Sequence, residues 1–198
     1  MKTTHFLSCL LVAAIWLGAA GNAGAAFSVN CGGATNVDTN PMTALGCSVG
    51  AAGILVDLNV ALEINDLAAN PYATDLQIIL THVASATSVA IYLGPGVFGP
   101  VSMMDAMFDD AAAATAPGSG NIIGTFLPNE SLSAFNGLEL SGDWTLEITD
   151  ISAFPDEGID LIGWRLTGIH TPEPSSLALV AFGLLGLAIL SGRKPACP

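Results

Sequence analysis

The sequence predicts an all-β domain, built as an antiparallel sandwich, between two apolar terminal segments. Apolar and polar residues alternate in five stretches, which is the period of a strand with one buried face. Gly, Pro, Asn and Ser cluster between these stretches, at the spacing expected of short antiparallel strands joined by turns. The one helix-like run, residues 103–115, lies between Gly/Pro clusters, and we interpret it as a loop with one turn.

The longest alternation gives the first predicted strand. It begins at Ile54, and every even-numbered residue up to Ile64 is Ile, Leu or Val. Four later strands are predicted around these residues: Leu76, Ile78 and Leu80; Val89, Ile91 and Leu93; Trp144, Leu146 and Ile148; Ile162, Trp164 and Leu166. Trp144 and Trp164 are in phase with their apolar neighbours, so we expect both indoles in the core, each with a hydrogen-bond acceptor.

Residues 26–50 precede the predicted sheet and are rich in Asn, Gly and Thr, so we expect an irregular arm. This arm holds Cys31 and Cys47, the two cysteines outside the terminal segments. In an oxidising compartment such a pair predicts a disulfide. The bridge would close a loop of 15 intervening residues and add roughly 3 kcal/mol of stability in the chain-entropy model.

Residues 1–25 predict a secretory signal peptide. Lys2 is followed by an apolar run and then by small residues that end at Ala25 and Ala26, which is the order found in such signals. We expect cleavage after Ala25 or Ala26. The rest of the chain is therefore expected outside the cytoplasm.

Residues 175–192 carry no charge and are long enough to cross a bilayer as a helix. Arg193 and Lys194 follow directly, and cations in this position stay on the cytoplasmic side. We therefore expect a transmembrane helix that holds residues 27–171 on the periplasmic side. A buried core helix is the alternative, but such a helix seldom lacks every charge over this length.

The segment 171–198 resembles the PEP-CTERM sorting signal of Gram-negative bacteria. Its parts stand in the family's order: Pro172-Glu173-Pro174, the apolar span, then Arg193 and Lys194. The resemblance implies recognition by an exosortase, a membrane protease-transferase, followed by removal of the tail and delivery to the cell surface or the exopolysaccharide matrix. The two prolines forbid a helix and favour an extended peptide that a processing enzyme can grip. A plain linker before a permanent anchor is the alternative.

The exported region is strongly acidic. The whole chain has 17 acidic and four basic side chains; setting aside Glu173, Lys2, Arg193 and Lys194 leaves 16 acids against Arg165, a net charge of −15 for residues 27–171. Such a field repels nucleic acid and anionic lipid headgroups, which excludes both as partners. It also favours divalent cations, although solubility of an extracellular protein explains the charge equally well.

Calcium is the candidate metal because it takes six to eight oxygen ligands and tolerates irregular loops. Two sets of carboxylates flank predicted hairpins: Asp150, Asp156 and Asp160 at the last hairpin, and Asp66 and Asp75 at the first. Sandwich loops cluster at the two ends of the fold, which would bring the members of a set together. No D-x-D-x-D-G loop is present, so these sites are predicted from position alone.

Five stretches resemble the P domain, or homo B domain, that follows the catalytic domain of kexin-like subtilases: residues 65–80, 108–112, 124–137, 141–150 and 156–168. The markers are SGDWTLEITD followed by DEGIDLIGWRLTG, in the family's order. The resemblance covers residues 51–170 and implies a jelly-roll sandwich of about eight strands. In subtilases the domain stabilises its catalytic neighbour, and in bacteria it also occurs as a surface module without a protease. The Ala- and Met-rich run 101–116 departs from the family.

An enzyme has little support in the sequence. The candidate bases for a serine hydrolase are His82 and His170, and no G-x-S-x-G nucleophile elbow is present. The pairs Asp109-Asp110 and Asp156-Glu157 have the residue types of a glycoside hydrolase, but such pairs arise by chance in an acidic domain.

We therefore predict a non-catalytic structural or adhesive protein of the cell surface or the exopolysaccharide matrix. The alternative is a glycan- or peptide-binding module that acts through loops at one end of the sandwich. Three features would separate these hypotheses. A concave polar pocket would oppose a purely structural role, and exposed aromatic side chains on one face would favour glycan binding. A Ser or Thr beside His82, with a carboxylate behind it, would favour an enzyme.

Overall fold

The computed structural model describes residues 24–35, 37, 43–66, 76–94, 103–118, 120–150, 159–172 and 183. These residues form nine strands and one short helix: β1 (Ala25–Ala34), β2 (Thr43–Val49), β3 (Ile54–Asp66), β4 (Leu76–His82), β5 (Thr87–Leu93), β6 (Met103–Phe108), β7 (Ile122–Phe126), a 3₁₀ helix (Leu132–Phe135), β8 (Gly142–Asp150) and β9 (Ile159–Thr171). The predicted all-β class is confirmed, with one strand more than the resemblance implies.

The strands form a five-stranded sheet, in the order β1-β9-β3-β6-β7, and a four-stranded sheet, in the order β2-β8-β4-β5. Neighbouring strands are antiparallel except for β6 and β7, which are parallel. The expectation of a wholly antiparallel arrangement is wrong at this pair. The reason is the connection between the two strands: residues 109–121 are long enough to carry the chain back to the same end of the sheet, which a parallel pair requires.

The inward faces of both sheets contribute to one hydrophobic cluster, which is the core of the domain. Trp144 on β8 is fully buried, and its Nε1 donates a hydrogen bond to the Leu140 carbonyl oxygen over 3.1 Å, as predicted. Trp164 on β9 is also buried, but its Nε1 has no hydrogen-bond partner among the described residues. The expected acceptor is therefore found for one indole of the two.

The segment 26–50 is not the irregular arm that the sequence predicts. β1 pairs with β9, and β2 pairs with β8, so the segment supplies an edge strand to each sheet. Gly24–Thr171 forms one compact unit, and the domain begins well before the predicted boundary at residue 51. Residues of low strand propensity are tolerated in β1 because it is an edge strand with register shifts around Gly32, whose φ is 83°.

Residues 103–115 also differ from the prediction, because β6 lies within them. Met104, Ala106 and Phe108 are buried while Asp105 is exposed, which is the alternation of a half-buried strand. The alternation spans only six residues and uses Ala and Met, residues that are common in helices. The composition of the run therefore concealed the strand pattern.

Two β-bulges reverse the predicted facing of three residues. Pairing between β3 and β9 shifts register between Leu55 and Asp57, and Ile54 and Val56 are exposed instead of buried. A second shift, between Glu63 and Ile64, leaves Ile162 unpaired and exposed. Because side chains alternate with a period of two, one extra residue moves its neighbours to the other face of the sheet.

Two segments predicted from the sequence lie outside the described residues. These are the signal peptide, of which residues 1–23 are not described, and the transmembrane helix at 175–192, where Gly183 alone is described. Both stay predictions. In the described part of the chain, no helix has the length and apolar character needed to cross a membrane. β1 begins at Ala25, so cleavage after Ala25 or Ala26 would remove at most its first two residues.

Cys31 and Cys47 form the predicted disulfide, and the bridge joins β1 of one sheet to β2 of the other. We expect reduction to lower the free energy of unfolding by about 3 kcal/mol, because the unfolded chain regains the entropy of an open loop. Urea unfolding of the full chain with and without reductant measures this change. The variant C31S/C47S is the control, since reductant should not affect it. An unchanged midpoint, with both thiols shown to be free by labelling, would contradict the prediction.

Candidate functional site

An open groove in two parts lies on the outer face of the five-stranded sheet. Its first part, of about 330 Å³, lies over β1, β9 and β3, and its second part, of about 280 Å³, lies over β3, β6 and β7. The two parts share Ala61, Asp105 and Arg165 as lining residues, so they adjoin each other. We call the two parts together the outer groove.

Strand pairing places the outward side chains of the outer groove in two adjacent rows. The first row, from β1 to β7, is Asn30, Arg165, Ala61, Met107 and Thr125. The second row, from β9 to β7, is Gly163, Glu63, Asp105 and Ile123. Strands lie about 4.8 Å apart and rows about 7 Å apart, so the groove is roughly 20 Å long across the sheet.

Small residues form the floor of the outer groove. Ala61 is the smallest of the outward residues in this stretch of β3, between Asn59 and Glu63. At Gly163 an added Cβ would lie no closer than 3.9 Å to any atom, the Gly32 carbonyl oxygen being nearest. This distance is an ordinary contact, so sterics do not require glycine at this position. Its effect is to leave the groove open.

The charges in the outer groove are unpaired. Arg165 is the one Lys or Arg residue in the segment 27–171, and Glu63 and Asp105 line the groove with it. All three side chains are exposed, and none makes a hydrogen bond or ion pair with another described residue. Glu63 and Asp105 are directly opposite in the β3–β6 pair, and like charges in that position destabilise a sheet. Sequence analysis did not single out these residues; the lone cation was the available signal.

His82 lies buried at the end of β4, with 2 % of its surface exposed. Its Nδ1 is 2.8 Å from the Ser85 hydroxyl, and its ring packs against Trp144 with centroids 4.6 Å apart. Its Nε2 has no hydrogen-bond partner within the described residues. The structure therefore brings together the predicted base and a hydroxyl, but places no described carboxylate behind the imidazole. The other candidate base, His170, is part-buried in β9, with its ring 5.9 Å from that of Phe27.

The carboxylate pair Asp109-Asp110 holds local structure. Asp110 accepts hydrogen bonds from the Ser131 hydroxyl (2.6 Å) and from the backbone N–H groups of Leu132 (3.0 Å) and Ser133 (2.8 Å) at the start of the 3₁₀ helix. Asp109 accepts a hydrogen bond from the Ala111 N–H over 2.7 Å. These bonds tie both side chains to the loop and to the start of the 3₁₀ helix. The other pair, Asp156-Glu157, lies outside the described residues.

The predicted calcium ligands are described only in part. Asp75 and Asp156 lie outside the described residues, and for Asp66 and Asp150 only the strand position is described. Asp160 lies in β9. Within the described residues, no three or more His, Cys, Asp or Glu side chains are grouped to hold a metal ion. Calcium binding at these residues stays a prediction.

The backbone regroups the predicted calcium ligands. Asp66 at the end of β3 pairs with Ile159, the neighbour of Asp160. Asp150 at the end of β8 pairs with Leu76 at the start of β4, in the other sheet. Asp160, which pairs directly with Asn65, therefore lies in the same strand pair as Asp66, whereas the sequence grouped it with Asp150.

The last strand leads directly into the predicted sorting motif. β9 ends at Thr171, whose hydroxyl donates to the Ile54 carbonyl oxygen over 3.4 Å, and Pro172 follows it in an exposed position. A residue before proline favours extended backbone, which suits a strand that continues to this point. The remaining sorting residues, Glu173, Pro174, Arg193 and Lys194, lie outside the described residues.

The described residues thus form a two-sheet β protein, and the last of their strands, β9, ends at a Pro-Glu-Pro motif. Residues 170–194 match the family model described as the PEP-CTERM protein-sorting motif, which confirms that part of the prediction. No curated protein matches the chain.

Two solved structures resemble the chain weakly. One is the serine protease of Aeromonas sobria in complex with its chaperone, at 14% identity and a TM-score of 0.44, covering 75% of this chain and 27% of that one. The other is the serine protease of Aeromonas sobria, at 15% identity and a TM-score of 0.41, with 74% and 26% covered. The chain spans about a quarter of the length of these proteins. At such TM-scores we draw no assignment from the likeness.

Asp57, on the outward side of β3, provides a test of the local electrostatics. The pKa of the Asp57 carboxyl is raised, mainly by partial burial and to a smaller extent by the negative charges of Asp109 and Asp110. Because this pKa is higher in the folded protein than in the unfolded chain, ionisation of Asp57 lowers the free energy of unfolding. This loss of stability disappears as pH falls through the folded pKa and Asp57 becomes protonated. We expect D57N to raise the unfolding midpoint at neutral pH.

The gain from D57N should vanish at acidic pH, where Asp57 is protonated in the wild type. Urea unfolding across the pH range measures the difference between the two proteins. E147Q, on the outer face of β8, removes one negative charge from the other sheet and is the matched control. Two results would contradict burial and local repulsion as the cause: a neutral-pH gain from E147Q as large as that from D57N, or a D57N gain that grows toward acidic pH.

Proposed function

We propose that the chain is an exported protein that an exosortase sorts to the cell surface or the exopolysaccharide matrix, where the β domain has a non-catalytic structural or adhesive role. The observation that carries the proposal is the match of residues 170–194 to the PEP-CTERM protein-sorting motif. Its position adds support, since the motif begins where β9 ends. A folded domain placed directly before a sorting signal is suited to be its cargo.

A P-domain-like sandwich is the second part of this proposal. The two marker stretches correspond to β8 and β9, and each strand is flanked by two others: β8 lies between β2 and β4, and β9 lies between β1 and β3. Their tryptophans, Trp144 and Trp164, belong to the same core cluster. This placement supports the interpretation that the markers are fold-determining residues and not a catalytic motif.

Two observations support the non-catalytic part of the proposal. Hydrogen bonds to the loop and the 3₁₀ helix occupy Asp109 and Asp110. The Ser85 hydroxyl beside His82 also lies 3.0 Å from the Thr87 hydroxyl, which is the pattern of a turn held by side-chain hydrogen bonds. Calcium at the ends of the sandwich is a further expectation, favoured by the acidic charge of the domain, and a chelator should then lower its melting midpoint.

The sorting step is tested by changing the motif in the full chain. We expect P172A/E173A to remain in the membrane fraction with its C-terminal tail intact, because the exosortase no longer recognises it. Wild-type protein should be recovered at the surface or in the matrix without the tail. Cell fractionation and intact-mass measurement separate the two forms.

E147Q is the control for the sorting test, since it lies on β8 in the four-stranded sheet, away from the motif. It should be processed as the wild type is. Deletion of the exosortase gene should reproduce the behaviour of P172A/E173A with the wild-type chain. If P172A/E173A were processed and delivered like the wild type, the proposed sorting would be refuted.

A further inference from the structure

We propose that the outer groove binds a segment of a neutral saccharide chain through hydrogen bonds to its hydroxyl groups. The proposal deepens the adhesive role proposed above and rests on it for its biological setting. The binding itself does not depend on sorting and can be measured separately. It also differs from the loop-end site expected from the sequence, because the groove lies on a sheet face.

The polar groups of the outer groove combine donors and acceptors. The Arg165 guanidinium only donates hydrogen bonds, and the ionised carboxylates of Glu63 and Asp105 only accept them. Asn30 and Thr125, at the β1 and β7 ends of the first row, do both. A hydroxyl group also donates and accepts, so neighbouring hydroxyls on a sugar ring can satisfy a guanidinium and a carboxylate side by side. Such a ligand uses groups that the fold leaves unpaired.

The charge of the domain argues against other occupants. An anionic polymer would meet one favourable cation, Arg165, in a region of net charge −15. A second copy of the chain would bring the same negative charge. The domain as a whole would attract a cationic chain, but such a chain would place a like charge beside Arg165 and give its guanidinium no acceptor. A neutral chain of hydroxyl groups meets no like charge and can pair with the guanidinium and with both carboxylates.

The shape of the outer groove fits an extended chain. Its floor of Ala61 and Gly163 is low, and its length of roughly 20 Å exceeds what one sugar ring would fill. Ile162 on β9 and Ile123 on β7 are 51% and 56% exposed and lie toward opposite ends. Their side chains can pack against the C–H faces of sugar rings, as buried apolar area stabilises a complex.

The groove lacks one common feature of saccharide sites, since no aromatic side chain is exposed among the described residues. Recognition would rest on hydrogen bonds, with modest affinity at each site. Adhesion would then come from many copies bound to one polymer, because multivalent attachment exceeds the single-site affinity without any new contact.

Affinity electrophoresis of the full chain tests the proposal. The protein is purified in a detergent without a sugar headgroup and run in native gels that contain dextran, mannan or galactan. Mobility is normalised to a gel without polymer, which removes the direct effect of each variant's charge. We expect at least one of these neutral polymers to retard the wild type. R165A and E63Q should each weaken the apparent affinity by about tenfold, as expected for loss of a hydrogen bond to a charged group.

Two further variants make the test specific. A61L fills the floor without changing charge and should also weaken retardation. E147Q removes the same charge as E63Q from the other sheet and should be retarded like the wild type. Unfolding midpoints of all variants show that each protein is folded. The proposal is overturned if none of the three neutral polymers retards the wild type, or if E147Q weakens retardation as much as E63Q does.

Charged dextrans with the same backbone test the electrostatic argument. Diethylaminoethyl-dextran should retard the wild type and E147Q through general charge attraction that salt abolishes, while dextran sulfate should not retard either. Retardation by the cationic polymer alone would overturn the proposal. If the protein is sorted but not retarded, saccharide binding by the outer groove is contradicted and the proposed sorting is not. If the protein is retarded but not sorted, the proposed sorting is contradicted and saccharide binding is not.

Discussion

The antiparallel pairing of β3 with β9 is the interaction on which the rest of the domain depends. Both strands are 13 residues long, and their register runs from Ile54 opposite Thr171 to Asp66 opposite Ile159. On the inward face this register contributes Leu62 and Trp164 to the core. On the outward face it places Ala61 beside Arg165. A slip of one residue would exchange the two faces.

Local geometry protects this register against slippage. At Gly168, φ is 154°, and a Cβ there would clash with the carbonyl oxygen of Asp57, so the position admits only glycine. The neighbouring bulge between Leu55 and Asp57 turns Val56 outward. A bulge and a close glycine contact fix which residues face each other, because any other alignment would press a side chain against the opposite backbone. The same constraints determine which side chains of β3 and β9 lie next to each other in the outer groove.

The parts of the fold that the sequence predicted are those encoded by local alternation. Residues 54–64 and the two tryptophan strands follow period two, and they form β3, β8 and β9. β1, β2, β6 and β7 were missed. In β1 a glycine at a bulge, and in β6 a short Ala/Met pattern, carry little local signal. The parallel pairing of β6 with β7 and the rows of the groove depend on which strands meet. Pairing is a property of the whole chain, so no single stretch reveals it. Ile162, for example, is exposed because of a bulge that forms only when β9 pairs with β3.

Among the acidic residues that the structure describes, two groups differ in energetic role. Asp110 accepts three hydrogen bonds, and Asp109 and Glu130 each bind a backbone N–H group, so these side chains stabilise the loops that carry them. Glu63 and Asp105 have no such bonds to described residues and repel each other across a strand pair. These two side chains hold no described loop in place, and because both are exposed, replacement by uncharged residues would remove the repulsion without loss of burial. Two carboxylates and the lone arginine of residues 27–171 lie together on one open surface, which is the arrangement that the proposed binding role uses.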